Sequence, residues 1–201
     1  MAGPDRRATP SPTGGDAVEA WLSPFAAAAR PRTVRARARL AQGRLTLRWV
    51  VEGELGDLLL PAAGGPPRRQ DGLWQASCFE AFLSLPPLPD YLELNVSPEG
   101  HWAAYRFTAP RRGMRHEAGL EALDWGTHRV ERCLALRATF ALRSAGLEPG
   151  GPASPPVLRL GLCAILLRND GVREFWALRH PGPAPDFHDP AGHVLELALP
   201  C

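Results

Sequence analysis

The first strongly patterned stretch of the chain is an alternation of apolar and polar residues. Residues 34–40 alternate between apolar side chains and arginine, which is the period of a strand with one exposed face. Gln42-Gly43 is a turn signal, and residues 44–52 again place an apolar side chain at almost every second position. The pattern predicts a β-hairpin.

Three further strands are predicted in the middle of the chain. Residues 73–85 are apolar on both faces, which is typical of a strand inside a sheet. Residues 91–96 alternate cleanly, and after the turn at 97–100 the run 101–107 forms the third strand. In 91–96 we expect one face to lie on the core and the other to carry Tyr91, Glu93 and Asn95.

The remaining strands follow at regular spacing, over residues 125–130, 133–142, 157–168, 172–178 and 194–199. Residues 17–29 are ambiguous between an apolar arm and a short helix, which Pro24 would interrupt. Nine or ten short strands with turn residues between them predict an all-β fold. We expect an antiparallel β-sandwich, jelly-roll or immunoglobulin-like, of about ten strands with at most minor helix.

Length and composition favour one domain. A chain of 201 residues can bury a substantial core. Residues 1–17 are rich in Pro, Gly and charge, so we predict a disordered lead-in followed by a single domain over 18–201. No apolar run reaches the ~18 residues of a membrane helix, and the N-terminal stretch lacks the apolar core of a signal peptide. We therefore expect a cytoplasmic protein with no membrane partner.

The charge balance argues against a nucleic-acid partner. The formal net charge is +2, and all 23 basic residues are arginine. A dedicated nucleic-acid binder needs clustered cations that face phosphate. The arginines at 35, 37 and 39 and at 111 and 112 are explained more simply by solvated strand edges and loops.

No motif of a metal site or a catalytic site is present. The four cysteines are far apart and form no CxxC pair, which argues against a zinc site or a disulfide framework. The chain contains no GxSxG and no HExxH. Glu80 and Glu93 have the side chains of a glycosidase acid and base, but nothing in the sequence indicates a raised pKa. We predict no enzyme, no catalytic residue, no metal and no cofactor.

A set of polar and aromatic residues on the three central strands is the best candidate for a binding site. Consecutive antiparallel strands are usually neighbours, so like-facing side chains form a patch. Carboxylates, an amide, a guanidinium and aromatic rings suit a polyhydroxylated ligand. The alternative is that Arg106 neutralises Glu80 or Glu93 in a structural ion pair. The predicted ligand-binding residues are Trp74, Glu80, Tyr91, Glu93, Asn95, Trp102 and Arg106.

A second cluster lies in the loop near the C-terminus, at His180, Asp186 and His188. Its spacing fits no established zinc or iron motif, and the alternative is that these side chains make turn hydrogen bonds. Met114 offers a partner for one of the histidines, because Met and His together ligate haem iron in some proteins. The alternative is that Met114 closes one end of the fold.

Several runs resemble the bacterial DOMON-like family, which is related to family 9 carbohydrate-binding modules. They are LWQASCFEAF (73–82), YLELNVSPEGHWAAYRF (91–107), RRGM (111–114), DGVREFWALRHP (170–181) and PDFH (185–188). The resemblance extends from about Leu22 to the C-terminus. It implies a single antiparallel β-sandwich of about ten strands with a pocket on or within one sheet, and in the wider superfamily the ligand is haem or a sugar.

The resemblance places a sugar on Trp74, Glu80, Glu93 and Asn95. In haem-binding relatives a Met and a His or Lys ligate the iron, and here Met114 with His180 or His188 has the matching chemistry. We expect a non-catalytic module for a carbohydrate or a related polyhydroxylated ligand, such as an intracellular metabolite or a cell-wall precursor. The alternatives are a haem-b electron-transfer or sensing domain, with Met114 and His188 as ligands, and an accessory domain that acts through protein contact.

Overall fold

A computed structural model describes residues 17–62, 64–142 and 157–199. These residues form twelve strands and two 3₁₀ turns, Leu73–Gln75 and Pro190–Gly192. No described helix is long and apolar enough to span a membrane. The strands are β1 (Ala17–Pro24), β2 (Arg32–Ala41), β3 (Arg44–Gly53), β4 (Cys78–Ser84), β5 (Tyr91–Val96), β6 (Trp102–Phe107), β7 (Arg115–His116), β8 (Ala122–Val130), β9 (Cys133–Ala141), β10 (Val157–Leu167), β11 (Arg173–Ala177) and β12 (Leu195–Ala198).

The strands join into one antiparallel sheet. Their order is β7-β6-β5-β4-β10-β11-β1-β2-β3-β9-β8, and β12 also pairs with β10. Strand β1 connects two halves, because its residues 17–22 pair with β2 whereas Ser23 and Pro24 pair with β11. We call β1–β3 with β8 and β9 the first half-sheet, and β4–β7 with β10–β12 the second half-sheet.

The two half-sheets face each other over the main apolar core. Trp49 of β3 meets Phe79 of β4 with ring centroids 5.8 Å apart, and Trp102 of β6 meets Phe140 of β9 at 6.0 Å. All four side chains are buried, so these pairs close the core between the halves. The predicted all-β antiparallel class is confirmed. Where a sandwich would have two separate sheets, this chain has one continuous sheet that curls over at β1.

Most strand predictions agree with the structure to within a few residues. The hairpin of β2 and β3 turns at Gln42 and Gly43, whose φ angles of 52° and 71° are those of a tight hairpin turn. The alternation in β2 is confirmed, with its apolar side chains buried and most of its arginines outward. Strand β5 also has the predicted inner face, since Leu92, Leu94 and Val96 pack into the main core.

Two strand predictions need correction, and the predicted lead-in lies almost entirely outside the described residues. The strand predicted over 73–85 begins only at Cys78, because Leu73–Gln75 turns as a 3₁₀ helix before it. The ambiguous segment 17–29 contains strand β1 and no helix. Residues 1–16 of the predicted lead-in lie outside the described residues, and Ala17 already belongs to β1.

The outer face of the second half-sheet is also covered. A smaller apolar cluster lies there, built from outward side chains of β4, β5, β6 and β10 together with Leu73. It is packed by Trp74 of the 3₁₀ turn and by Phe187, which lies in the segment after β11. Polar residues of β4 and β5 are therefore buried on a face that would otherwise be exposed, and the candidate site lies here.

Candidate ligand-binding site

A cavity of about 340 Å³ opens on the outer face of the second half-sheet. This volume is within the range of small-molecule pockets. The buried residues Glu80, Glu93 and Ile165 form the floor. Aromatic walls are provided by Trp74, Phe107, Phe175 and Phe187. The rim carries Arg111, Met114, Pro185 and His188.

The pairing of β4 with β5 brings the polar floor residues together. Glu80 lies opposite Asn95 in the ladder, and Phe82 lies opposite Glu93. Because side chains alternate with period two along a strand, Glu80, Glu93 and Asn95 all project from the same face. Their exposed fractions are 3%, 5% and 0%, so three polar side chains are withdrawn from solvent at one place.

This polar group is only partly satisfied within the protein. The Asn95 amide Nδ2 donates a hydrogen bond of 2.7 Å to Oε1 of Glu93. Oε1 of Glu80 and Oδ1 of Asn95 are buried and have no hydrogen-bond partner among the described residues. Buried polar atoms in native proteins are almost always hydrogen-bonded. Glu80 lines the cavity, so a ligand that enters it lies next to this carboxyl group.

Burial and mutual repulsion control the charge of the two acids. Burial raises the pKa of Glu80 well above its ordinary value, and the nearby charge of Glu93 raises it further. Burial also raises the pKa of Glu93, against the opposing effects of the Asn95 hydrogen bond and the Arg111 charge. Two carboxyl groups that share a poorly solvated site resist ionising together, so simultaneous ionisation of Glu80 and Glu93 is disfavoured in the free protein.

His188 is held against the sheet beside these acids. Its Nδ1 lies 2.7 Å from the hydroxyl of Tyr91, and its Nε2 lies 3.7 Å from Oε2 of Glu93. Burial lowers the pKa of His188 to about 4, so the imidazole is neutral at neutral pH. The contact with Glu93 is therefore not an ion pair.

Arg111 connects two loops at the rim. Its φ angle of 57° is one that non-glycine residues rarely adopt, and its backbone N–H donates to the Tyr91 hydroxyl at 3.3 Å. The Arg111 guanidinium donates to Asp186 at 2.8 Å, and the same carboxylate oxygen accepts the backbone N–H of His188. Since strained backbone persists only where its surroundings fix it, Arg111 is held in place over the cavity.

The structure brings together most of the predicted ligand-binding residues. Trp74, Glu80 and Glu93 line the cavity, Asn95 is bonded behind Glu93, and Tyr91 positions His188. In the loop cluster, Asp186 and His188 also belong to this rim. His180 lies apart, where its Nε2 donates to the backbone oxygen of Ser23. The described residues contain no group of three metal-binding side chains.

Trp102 and Arg106 do not belong to the site, and their predicted position was wrong. In β6 the residues opposite Tyr91, Glu93 and Asn95 are Phe107, Tyr105 and Ala103. Trp102 therefore projects to the other face, where it packs in the main core. Arg106 binds Asp90 and Glu117, so the alternative pairing with Glu80 or Glu93 is also wrong.

Sequence reasoning missed several lining residues. Phe107 was detectable, because period-two alternation in β6 places it on the face of Tyr91 and Glu93. Arg111 was assigned to a solvated loop, and its position over the cavity depends on the long-range bond to Asp186. Ile165, Phe175 and Phe187 come from distant segments that only the folded sheet brings near β4 and β5.

Comparisons with known proteins show the fold only. A crystal structure of a "putative carbohydrate-binding protein" from Bacteroides uniformis is similar, with a TM-score of 0.61, 13% identity, and coverage of 85% of this chain and 83% of that one. A family 9 carbohydrate-binding module from Caldicellulosiruptor kristjanssonii, in complex with cellotriose, gives a TM-score of 0.49 and 12% identity over 79% and 71% of the two chains. No protein-family model and no curated protein sequence matches the chain.

Proposed function

We propose that the protein is a non-catalytic binding module and that a carbohydrate or a related polyhydroxylated compound enters the cavity above Glu80 and Glu93. The observation that carries the proposal is the open, buried acceptor Oε1 of Glu80 at the floor of an aromatic-walled cavity. Sugar hydroxyls both donate and accept hydrogen bonds, and the apolar face of a sugar ring packs on an aromatic ring. In the cytoplasm, an intracellular metabolite or a cell-wall precursor fits this description.

The fold comparison supports carbohydrate binding as the class of function. The similar protein from Bacteroides uniformis is described as a putative carbohydrate-binding protein. The sequence resemblance to DOMON-like domains and family 9 carbohydrate-binding modules, with their β-sandwich architecture, points the same way. The assignment of the ligand to this cavity depends on the residues of this chain, above all Trp74, Glu80 and Glu93.

A binding role without catalysis agrees with the state of the two acids. Glycosidases need one carboxylic acid and one carboxylate, held in that state by different surroundings. Here the pKa values of both Glu80 and Glu93 are raised, with burial as the main cause in each case. Asn95 and Arg111 oppose the rise at Glu93 without cancelling it, so neither acid has the lowered pKa of a dedicated carboxylate.

A panel of sugars and sugar phosphates, tested by thermal shift, examines the proposal. A bound sugar is expected to raise the melting temperature of the wild type, because it binds the folded state only. Trp74→Ala should abolish that rise by removing a cavity wall, and Glu93→Gln should weaken it. Trp21→Ala is the matched control, since Trp21 is half-exposed and lines a different cavity.

If no sugar raises the melting temperature of the wild type, the carbohydrate proposal fails. An accessory domain that acts through protein contact then becomes the better explanation. A rise that survives unchanged in Trp74→Ala also contradicts the proposal, because it locates the sugar elsewhere.

Haem b is the second candidate, favoured by one observation: Met114 and His188 both line the cavity. The residues present do not fit haem well. Nδ1 of His188 is bonded to Tyr91, its Nε2 faces Glu93, and the floor carries two buried carboxyl groups. We expect protein purified from haem-replete cells to show no Soret band. A Soret band that disappears in Met114→Ala would establish the haem candidate instead.

A further inference from the structure

Within the part of the chain that the structure describes, neither floor acid is bound by a cationic side chain at neutral pH. Among the described residues, no cationic side chain forms an ion pair with Glu80, and the imidazole 3.7 Å from Glu93 belongs to neutral His188. Arg111 is the nearby cation, but it is 59% exposed at its side chain and its guanidinium is bound to Asp186 at 2.8 Å. The Arg111 charge favours ionisation of both acids, but no described cationic side chain forms an ion pair with either carboxyl group at neutral pH.

The residues next to Glu80 on strands β4, β10 and β5 are neutral. Cys78 precedes it on the same face of β4, and Cys163 lies opposite it on β10. Burial raises the pKa of both thiols, so they carry no charge at neutral pH. Asn95 of β5 is uncharged, and Glu93 is the one acidic neighbour in the floor. A cation that enters the cavity meets negative charge as soon as either acid ionises.

The walls of the cavity also suit a cation. Trp74, Phe107, Phe175 and Phe187 surround the space above the acids. Ammonium groups are attracted to the faces of aromatic rings, and more strongly where water is excluded. A neutral sugar gains stacking from the same rings, but it leaves the two acids without a charged partner. The combination of aromatic walls and uncompensated acids is better matched by a ligand that contributes its own positive charge.

We propose that the ligand is an amino sugar, whose ammonium group binds between Glu80 and Glu93 while its ring packs against Trp74. This inference rests on the proposed function and narrows its ligand class. An ammonium group has three N–H donors and no acceptor, so it can satisfy the open Oε1 of Glu80 and an oxygen of Glu93 together.

Binding of an ammonium group also changes the protonation of the floor. In the free protein, burial and mutual repulsion oppose the ionisation of both carboxyl groups. An ammonium group that enters stabilises the carboxylates, so a proton held by either acid is released to solvent and the carboxylate pairs with the cation. Affinity for an amino sugar should therefore rise as pH increases from acidic to neutral, and binding should release protons. A neutral sugar has no such linkage.

Isothermal titration calorimetry with glucosamine, N-acetylglucosamine and glucose tests the inference on the wild type. Glucosamine is expected to bind at least about tenfold more tightly than glucose at neutral pH, which corresponds to about 1.4 kcal/mol. N-acetylglucosamine should resemble glucose, because its amide carries no charge. Titration of glucosamine in two buffers with different ionisation enthalpies should reveal proton release.

Two variants test whether the preference for glucosamine over glucose depends on the floor acids. Glu80→Gln and Glu93→Gln should each reduce the ratio of glucosamine to glucose affinity toward one. Glu196→Gln, which changes an exposed carboxylate on β12, is the matched control and should preserve the ratio. Melting curves of all three variants show whether they remain folded.

The outcomes separate the inference from the proposed function. Equal affinity for glucosamine and glucose overturns the amino-sugar inference and leaves the carbohydrate proposal standing. No binding of any sugar overturns both. Tight binding of ethylamine, equal to that of glucosamine, also overturns the inference, because the sugar ring then contributes nothing.

Discussion

The Tyr91 hydroxyl lies 2.7 Å from Nδ1 of His188, and this hydrogen bond joins strand β5 to the segment that covers it. The imidazole also meets the ring of Phe107 edge-on at 5.0 Å and that of Phe82 at 5.2 Å. Tyr91 additionally accepts the backbone N–H of Arg111. One hydroxyl group therefore positions both sides of the cavity rim.

Tyr91→Phe should loosen this rim with only a modest loss of stability. The variant keeps the ring but removes the hydroxyl, which we expect to lower the free energy of unfolding by about 1 kcal/mol. Sugar affinity should fall as well, because His188 and Arg111 lose a shared partner. Urea unfolding and calorimetric titration measure the two effects.

The matched control is Thr127→Val, which removes the hydroxyl that donates to the backbone oxygen of Pro98, away from the cavity. It should lower stability by a similar amount without changing sugar affinity. If Tyr91→Phe binds sugar as tightly as the wild type does, the rim is not organised by this bond.

Gly161→Ala should disturb the cavity from beneath the covering segment. A Cβ atom at Gly161 would lie 2.3 Å from Cδ2 of His193. His193 stacks on Phe82 and donates from Nε2 to the backbone oxygen of Phe187, so its displacement moves a cavity wall. We expect a loss of about 1–3 kcal/mol in the free energy of unfolding, the usual cost of overpacking, and weaker sugar binding.

Gly126→Ala is the corresponding control in strand β8, where an added Cβ would meet no atom of the described residues within 4 Å. Its stability should stay within about 0.5 kcal/mol of the wild type. Thermal unfolding of both variants is the measurement. Equal stability of the two variants would show that His193 moves aside without cost.

The half of the site on β4 and β5 was predictable from sequence, because side-chain period and consecutive pairing are local rules. They placed Glu80, Glu93 and Asn95 on a common face, as the ladder shows. The same period, applied to β6, would have excluded Trp102 and Arg106. The prediction instead assumed that Trp102 and Arg106 share a face with Glu93 and Asn95.

The covering half of the site was not predictable in the same way. Arg111 and Asp186 are 75 residues apart, and their ion pair depends on loops whose course no local pattern fixes. The curl of the sheet was not predictable from the sequence for a similar reason. Strand β1 pairs with β2 along most of its length and with β11 at its end, and an ambiguous apolar segment gives no sign of two partners.

Stability should respond to pH through Glu80. Because the folded protein raises the pKa of Glu80, it holds a proton that the unfolded chain releases once the pH exceeds about 4.5. The resulting destabilisation is absent below that pH and grows as the pH rises toward the folded pKa. Each unit of raised pKa corresponds to about 1.4 kcal/mol, so the effect is measurable.

His188 has the opposite effect on the pH dependence of stability. Its pKa is lowered to about 4 in the folded protein, so as the pH falls below about 6.5 the unfolded chain binds a proton that the folded protein does not, and the folded protein loses stability. The difference between Glu80→Gln and the wild type separates the two effects. Urea unfolding should show Glu80→Gln gaining stability relative to the wild type as the pH rises from 4.5 to 8. A difference that does not change with pH would mean that Glu80 ionises freely in the folded protein.

The most direct test of the binding cavity is a sugar titration followed by the indole N–H signals of the six tryptophans in two-dimensional NMR spectra. Trp74 lines the cavity, Trp49 is buried in the main core, and Trp21 and Trp176 line a different cavity. We predict a saturable shift of the Trp74 signal, with the Trp49 signal unmoved. A shift confined to Trp21 and Trp176, or no shift with any sugar of the panel, would contradict the account.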